Sequence, residues 1–370
     1  MKVAVLGGAG GMGSRAASDI AFQGDVTELT IGDINLGSAR KLAGEINHKL
    51  GKEKVKAAYI DANLPDTVMQ AIRGCDVVAS AIGPYYLYGK KVAEAIIESG
   101  IYMVDICDDY DALQDIFSLQ EKAEKNGAVV LTGMGWTPGL SNLLAAKGIE
   151  EMDEAVEVDI YWAGSPVGDS GLAVILHTLH IFTGSIPTFV DGGLVSIPAG
   201  SEREEVLFDE LGRCTMFHVG HPEPVTLPKK YPFLKKVSLK GGLTDHLMNE
   251  ISLLIGGLGL TAAPSGKHMI GTMLKPLLPA ISPFLKNQET RSAVKVEVRG
   301  RVNGREALVV YEANAKMEDL TGLPLAIGTL LLGRGKITGR GVMAPEAGVP
   351  LGEFFDEIAA RGIKIAKTVG

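Results

Sequence analysis

The sequence predicts an α/β chain: a doubly wound parallel sheet, then a second, α+β domain on a mixed or antiparallel sheet. Three observations carry this. The first third alternates short apolar, β-branched runs with helix-like stretches, the pattern of βαβ units. A glycine-rich turn, Gly7 to Gly13, separates the first run from the first helix-like stretch. Past residue 150 the period changes. Ala155–Trp162 alternates like a half-buried strand, and Val294–Val302 with Leu308–Ala313 resembles a hairpin around Asn303–Gly304.

In order, the strands of the first part are expected at Val3–Leu6, Glu28–Ile31, Val55–Ile60, Val77–Ala81, Tyr102–Ile106 and Ala128–Thr132. Helices fit between them at Gly11–Phe22, Gly37–Leu50, Thr67–Ile72, Gly89–Ser99 and Ala112–Lys125. A further helix opens at Pro138–Gly139 and runs through Ala146, since a proline at a helix start gives up an N–H that would be unbonded there anyway. Thr321–Leu332 and Leu351–Arg361 read as helices again. The domains are drawn at 1–150, 151–318 and 319–370.

The glycine turn carries the first functional signal. Gly8, Gly10 and Gly13 fit G-x-G-x-x-G, and Asp33 follows Gly13 by twenty residues, at the end of the second apolar run. One glycine permits the tight turn, a second lets the backbone approach a pyrophosphate, and the third lets helix and strand pack closely. The helix N-terminus offers N–H groups to phosphates, and a carboxylate at the next strand tip accepts from ribose hydroxyls. This is the Rossmann dinucleotide-binding pattern. Gly8, Ala9, Gly10, Gly11, Met12, Gly13, Asp33 and Asn35 are therefore expected to line the cofactor. Asp33 favours NAD, because a carboxylate repels a 2′-phosphate. NADP stays possible, because Arg40 on the following helix could reach one.

Other strand ends should lie on the same ligand edge. Asp61-Ala62 closes the third strand and meets either the adenine or the next helix as a cap. Ala81-Ile82-Gly83-Pro84 follows the fourth strand as a cofactor-lining turn, with Tyr85 and Tyr86 able to stack or donate. At the fifth strand end, Asp109 and Asp111 suit a helix N-terminus, which leaves Asp105 and Asp108 as candidates to bind an ammonium group or act as a base. After the sixth strand, Trp136, Pro138, Gly139, Ser141 and Asn142 are expected to bind substrate, with the helix start holding a carboxylate. In the second domain His221-Pro222-Glu223 suits proton transfer, although a lone histidine is more often structural. Asp245-His246 is a weaker pair of the same kind. The candidate catalytic groups are thus Asp108, His221, Glu223 and Tyr85.

Bulk composition bounds the rest. The chain has 370 residues, 46% hydrophobic and 22% charged, an ordinary globular balance. A net charge of −8 gives no electrostatic footprint for nucleic acid. Cys75, Cys107 and Cys214 form neither a disulfide framework nor a metal box, and no H-x-x-x-H occurs, so no metal is expected. A reducing cytoplasm fits, and residue 1 leads straight into the first strand without a leader pattern. Two apolar stretches, Ile251–Pro264 and Met269–Leu285, are too short or too broken by proline to span a bilayer. They read as packing or interface segments, with a membrane-surface role left open.

Together, GGAGGMG, AIGPYYLYG, IYMVDICDD, GMGWTPGLSNLLA, LTGLPLAI and GVMAPE resemble the saccharopine dehydrogenase-like oxidoreductases. Within that group the chain is similar to the branch of saccharopine reductases, lysine 6-dehydrogenase and carboxynorspermidine dehydrogenase. The likeness is clear over the first 150 residues and the last 50, and diffuse between about 165 and 290. The resemblance implies an NAD(P)-dependent enzyme acting on a C–N bond of an amino-acid-type substrate. It also implies C-terminal helices that return to the Rossmann domain, and a homodimer built on the second domain. Asp108-Asp109 stands where the family often reads Gly-Glu, so that residue's role does not transfer.

On this reading a carboxylate, Asp108 or Glu223, stabilises the developing iminium, His221 carries the proton, and the partner is a small-molecule substrate. Two alternatives stay open. One is a reductase of an enoyl or carbonyl group on a hydrophobic chain, motivated by the apolar 251–285 region. The other is a non-catalytic dinucleotide-binding protein.

Overall fold

The structure is a computed structural model that describes residues 1–165, 171–277 and 290–370. The end of the second apolar stretch, with Pro279 and Pro283, lies outside them. Residues 1–139 and 321–361 form one compact unit, and residues 140–320 and 362–370 another.

The chain begins β1 (Lys2–Leu6), α1 (Gly11–Ala21), β2 (Glu28–Asp33), α2 (Leu36–Leu50), β3 (Val55–Tyr59), α3 (Pro65–Ala71), β4 (Val77–Ser80) and α4 (Tyr85–Glu98). It continues through β5 (Tyr102–Asp105), α5 (Tyr110–Phe117), α6 (Gln120–Lys125) and β6 (Val129–Leu131). All six expected strands form. The one helix expected over Ala112–Lys125 is two. Ser118 Oγ donates to the Asp115 carbonyl at 2.6 Å, and the Leu119 N–H turns back to Ile116. That local bonding closes α5 before α6 begins.

The second unit opens with α7 (Leu140–Glu150) and β7 (Glu154–Gly164). It continues with α8 (Leu172–Ile181), β8 (Ser185–Val190), β9 (Gly193–Pro198), β10 (Glu204–Phe208), β11 (Gly212–His218), α9 (Glu223–Lys230) and β12 (Lys236–Leu243). Then come α10 (His246–Gly257), α11 (Pro264–Leu274), β13 (Ser292–Val302) and β14 (Arg305–Ala315). The chain ends with α12 (Met317–Gly333), β15 (Gly341–Met343), α13 (Pro345–Gly348), α14 (Leu351–Ala360) and β16 (Ile365–Val369).

The first unit's sheet has the order β15-β6-β5-β4-β1-β2-β3, and every pair is parallel. The reversal of order at β1 and β4 is the doubly wound signature and puts the ligand edge at the strand C-termini. The seventh strand, β15, was not expected. It is three residues long and stands apart from the alternating strand–helix run of the first third. Arg361 pins the C-terminal return by reaching Asp19 on α1 at 2.9 Å, and Gly322 of α12 fits against Arg15, where a Cβ would stand 2.8 Å from the Arg15 Cβ.

The second sheet is mixed, as expected. It runs β10-β11-β12-β7-β13-β14-β16, with β8 and β9 attached at β12. β12 and β7 are parallel, and β13 and β14 form the hairpin read from the sequence. Asn303 and Gly304 both have positive φ, 53° and 74°, the mirror-image turn that suits the strand twist.

Two details differ from the sequence reading. The helix at 140–150 belongs to the second unit, because Gly148 lets it seat on Val298 of β13. It also starts at Leu140, not Pro138. The Pro138 carbonyl accepts from the Gly135 N–H at 3.0 Å and Gly139 has φ 118°, so Pro138 belongs to a tight turn ahead of the helix.

Candidate functional site

The glycine loop is shaped by what a side chain would strike. Gly7 has φ 69°, and a Cβ there would lie 2.6 Å from the Ala81 carbonyl oxygen. A Cβ on Gly8 would lie 2.8 Å from the Val5 oxygen, and one on Gly13 would collide with the Gly7 carbonyl. Side chains are therefore excluded at Gly7, Gly8 and Gly13. Gly10 is the N-cap of α1 and has no side chain to satisfy the first-turn N–H groups. An uncapped helix start with no acidic residue in its first turn fits a pyrophosphate.

Asp33 ties this loop to the tip of β2. Its Oδ2 accepts from the Ala9 N–H at 3.0 Å and its Oδ1 from the Asn35 N–H at 2.9 Å. Asn35 turns inward to its own helix, where its Oδ1 caps α2 by accepting from Ser38 N–H at 3.0 Å. Asp61 is likewise engaged locally. Its Oδ1 accepts from Asn63 N–H at 2.8 Å, and its carbonyl accepts from the Thr67 hydroxyl, which closes the turn containing Ala62. That turn precedes α3, whose N-cap is Leu64.

At the end of β4, the Ala81 N–H donates to the Leu6 carbonyl, and Gly83-Pro84, a cis peptide, leads into α4 with Pro84 as N-cap and Ile82 half-buried. Tyr85 is a brace between strand ends. Its hydroxyl donates to the Ser80 carbonyl at 2.8 Å and accepts from the Ile106 N–H at 3.2 Å. Burial holds its phenol far above the usual range, so it stays protonated. This departs from the expected catalytic role, because both hydroxyl bonds join β4 to the loop after β5. The Tyr86 phenol is pushed up to about 12 by burial, and its backbone N–H donates to Asp109 at 3.0 Å.

Asp105 is the fully buried knot of this edge. Its Oδ1 accepts from Cys107 N–H, the Thr132 hydroxyl and Gly133 N–H, each at 2.9 Å. Its backbone carbonyl accepts from Met134 N–H at 2.6 Å. Burial lifts its carboxyl to about 6 against the pull of those donors. Asp108 is half-buried on the loop that follows, and Asp109 is the N-cap of α5, matching its expected place at a helix start. Trp136 is buried in the turn between Gly135 and Gly139.

The second unit gathers four candidates from distant parts of the sequence. Ser141 Oγ donates to Glu223 Oε1 at 2.7 Å, and Asn142 Nδ2 donates to Thr226 Oγ1 at 3.2 Å. His221 Nδ1 lies 3.8 Å from Glu223 Oε2. His221 is 2% exposed and Glu223 0%. The imidazole sits among rings, with the Trp162 centroid at 5.6 Å and that of His177 at 5.3 Å, edge-on. Trp162, His177 and Thr226 were not singled out from the sequence. Trp162 was visible only as an alternating strand residue, and His177 carried no signal. Asp245-His246 is a helix start: Asp245 accepts from Met248 N–H at 3.2 Å, and exposed His246 faces Glu250 at 3.5 Å.

Residues 3–131 match the family described as the saccharopine dehydrogenase NADP binding domain. The chain is thus similar to the saccharopine dehydrogenase-like oxidoreductases. It is 23% identical to the carboxyaminopropylagmatine dehydrogenase of Synechocystis sp., over 94% of this chain and 92% of that protein. It is 24% identical to the carboxynorspermidine synthase of Vibrio alginolyticus, over 92% and 90% respectively. Its fold is that of the apo saccharopine dehydrogenase (L-Glu forming) of Saccharomyces cerevisiae, with a TM-score of 0.69 at 17% identity, covering 100% of this chain and 99% of that one. Among the described residues no helix is long and apolar enough to cross a membrane.

Proposed function

We propose that the chain is an NAD(P)-dependent dehydrogenase or reductase acting at the C–N bond of an amino-acid-type small molecule, as saccharopine and lysine dehydrogenases do. The observation that carries this reading is the buried Ser141–Glu223–His221 cluster, an acid and a base in a dry, ring-lined setting. The full-length likeness to two polyamine-type relatives supports it. A bound nicotinamide dinucleotide would supply the hydride donor or acceptor.

The chain's own residues then do the rest. The Gly8–Gly13 backbone and the α1 N-terminus hold the pyrophosphate, and Asp33 holds the ribose diol, which favours NAD over NADP. Gly83-Pro84 lines the nicotinamide side. Glu223, oriented by the Ser141 hydroxyl, stabilises positive charge on the substrate nitrogen, with Asp108 the second carboxylate available for that task. His221 takes or returns one proton. Trp136, Pro138 and Gly139 shape the substrate side of the first unit, and the α7 start with Ser141 and Asn142 holds a substrate carboxylate. The protein works as a cytoplasmic homodimer, which light scattering on the purified chain checks.

The test is a substrate panel of lysine, saccharopine, carboxynorspermidine and carboxyaminopropylagmatine with NAD⁺ and NADP⁺, read at the reduced-nicotinamide absorbance. Turnover with one amine, lost in Glu223→Gln and His221→Asn, is expected. Dinucleotide binding without turnover on any amine would overturn the assignment.

A further inference from the structure

Among the described residues the two sheets end at five strands, and four of these edges are blunted. β10 carries Glu204 and Glu205, β16 carries Lys367, β3 carries the exposed Lys56, and β15 is three residues long. Charge on an edge strand and short length both discourage further pairing. β9 has neither. It reads Gly193-Leu194-Val195-Ser196-Ile197-Pro198, with no charged side chain, and it pairs with β8 alone. Leu194 is 53% exposed and Val195 44%, on opposite faces of the strand, so both faces are open there.

The hairpin fixes which backbone groups of β9 point outward. Asp191 and Gly192 have φ 53° and 76° and form a two-residue turn between Val190 and Gly193, which face one another. The pair flanking such a turn is hydrogen-bonded, and bonded pairs alternate from there. Val190–Gly193, Thr188–Val195 and Ile186–Ile197 are then the bonded pairs of β8 and β9. Pro187, which has no N–H, falls opposite Ser196 in an unbonded pair, as this alternation requires. Leu194 and Ser196 therefore turn their backbone N–H and C=O groups away from β8, toward the open edge.

Such an edge is complementary to itself. A twofold axis at Val195 sets Leu194 of each copy against Ser196 of the other, antiparallel, and each of these pairs exchanges two N–H···O bonds. The two Val195 side chains meet on the axis as an unbonded pair, the kind whose side chains approach more closely. The strand ends agree with this pairing. One end carries Asp191 and also Lys235, whose carbonyl accepts from Gly192 N–H at 3.0 Å, and the other end runs into Glu202 and Arg203. Antiparallel pairing brings the first end of one copy to the second end of the other, so each acid is set toward a base. We infer that β9 pairs with β9 of a second copy and joins the two mixed sheets edge to edge. This rests on the homodimer reading above and gives that dimer its surface.

The test is light scattering of the full chain, where the parent should show twice the mass of one chain. Val195→Lys places two ammonium groups on the axis, and Ser196→Pro removes an outward N–H that β8 does not use. Each variant should show the mass of a single chain at the same concentration. Circular dichroism, tryptophan emission and reduced-dinucleotide binding of both should match the parent, which shows that they are folded. Val195→Cys gives an independent measurement. Unbonded antiparallel partners have Cα atoms about 4.5 Å apart, within disulfide reach. Oxidation of this variant with diamide should therefore join two chains covalently on a non-reducing gel. The parent and Ile197→Cys, which falls opposite Gly193 of the second copy, should stay single. A dimer that Val195→Lys and Ser196→Pro leave intact, and that Val195→Cys does not cross-link, overturns this inference and leaves the homodimer reading standing. A parent that is a single copy, alone or bound to a different protein, overturns both.

Discussion

The indole of Trp162 occupies the space that a side chain at Gly241 would need: a Cβ there would collide with the indole Cε2 and Nε1. The two residues are register partners on the parallel strands β7 and β12. The absent side chain sets where the indole lies, and the indole in turn stands beside His221. Gly241→Ala should therefore displace Trp162. The chain has only two tryptophans, so a shift in emission reports it directly. Turnover should fall with it while dinucleotide affinity holds. An unchanged emission spectrum would show that the indole does not depend on the glycine.

Gly13→Ala should act on the dinucleotide loop of the first unit. The added methyl collides with the Gly7 carbonyl, so the loop must open and the pyrophosphate seat is lost. Binding of reduced dinucleotide, followed by fluorescence, should weaken by at least about tenfold, the equivalent of roughly 1.4 kcal/mol. Parent-like affinity would contradict the close-packed loop.

Asp33→Ser tests coenzyme choice. Removing the carboxylate takes away repulsion of a 2′-phosphate and also the two loop bonds from Ala9 and Asn35. The ratio of NADH to NADPH affinity should move toward NADPH. A parent chain that already binds NADPH more tightly would refute the assignment of NAD.

Asp105 should leave a mark on the pH dependence of stability. Burial raises its carboxyl to about 6, above the ordinary 3.8, so the folded chain binds this proton more tightly than the unfolded chain. The resulting contribution is complete below about pH 4 and is lost as pH rises toward 6, a fall of about 3 kcal/mol. Asp105→Asn keeps an oxygen for the three donors but cannot ionise. Urea unfolding between pH 4 and 7 should show this fall in the parent and a flatter profile in the variant. Equal slopes would mean that another group governs the window.

Arg361→Ala should destabilise the first unit. Arg361 and Asp19 are 9% and 11% exposed, and the guanidinium also reaches Glu357. Removing one member of such an enclosed pair leaves an uncompensated charge, at a cost of about 3 kcal/mol. A melting temperature within a degree or so of the parent would show that the pair contributes little.

Most of the parallel sheet was readable because short apolar or β-branched runs alternate with helix-like stretches and end in turn residues. β15 escaped because its three residues stand outside the alternating strand–helix run that exposed the equally short β6, and β16 because its residues are mostly exposed and alternate weakly. Within the site, the residue types at the strand tips pointed to the ligand edge, but their partners did not. Tyr85 looked like a donor, and only its bonds to Ser80 and Ile106 reveal a brace. The approach of Ser141 to Glu223, and of His177 to His221, is made by tertiary packing between segments far apart in sequence. No local pattern encodes it.

The late position of β15 has a consequence for synthesis. The outer edge of β6 has its partner only once residues 341–343 have been made, after residues 140–320 of the second unit. Until then a nascent chain presents an open strand edge, the kind of template on which chains pair with one another. Messages truncated anywhere between residues 140 and 340 should thus yield aggregates. The dinucleotide-binding unit is thus begun before the second unit and completed only after most of it.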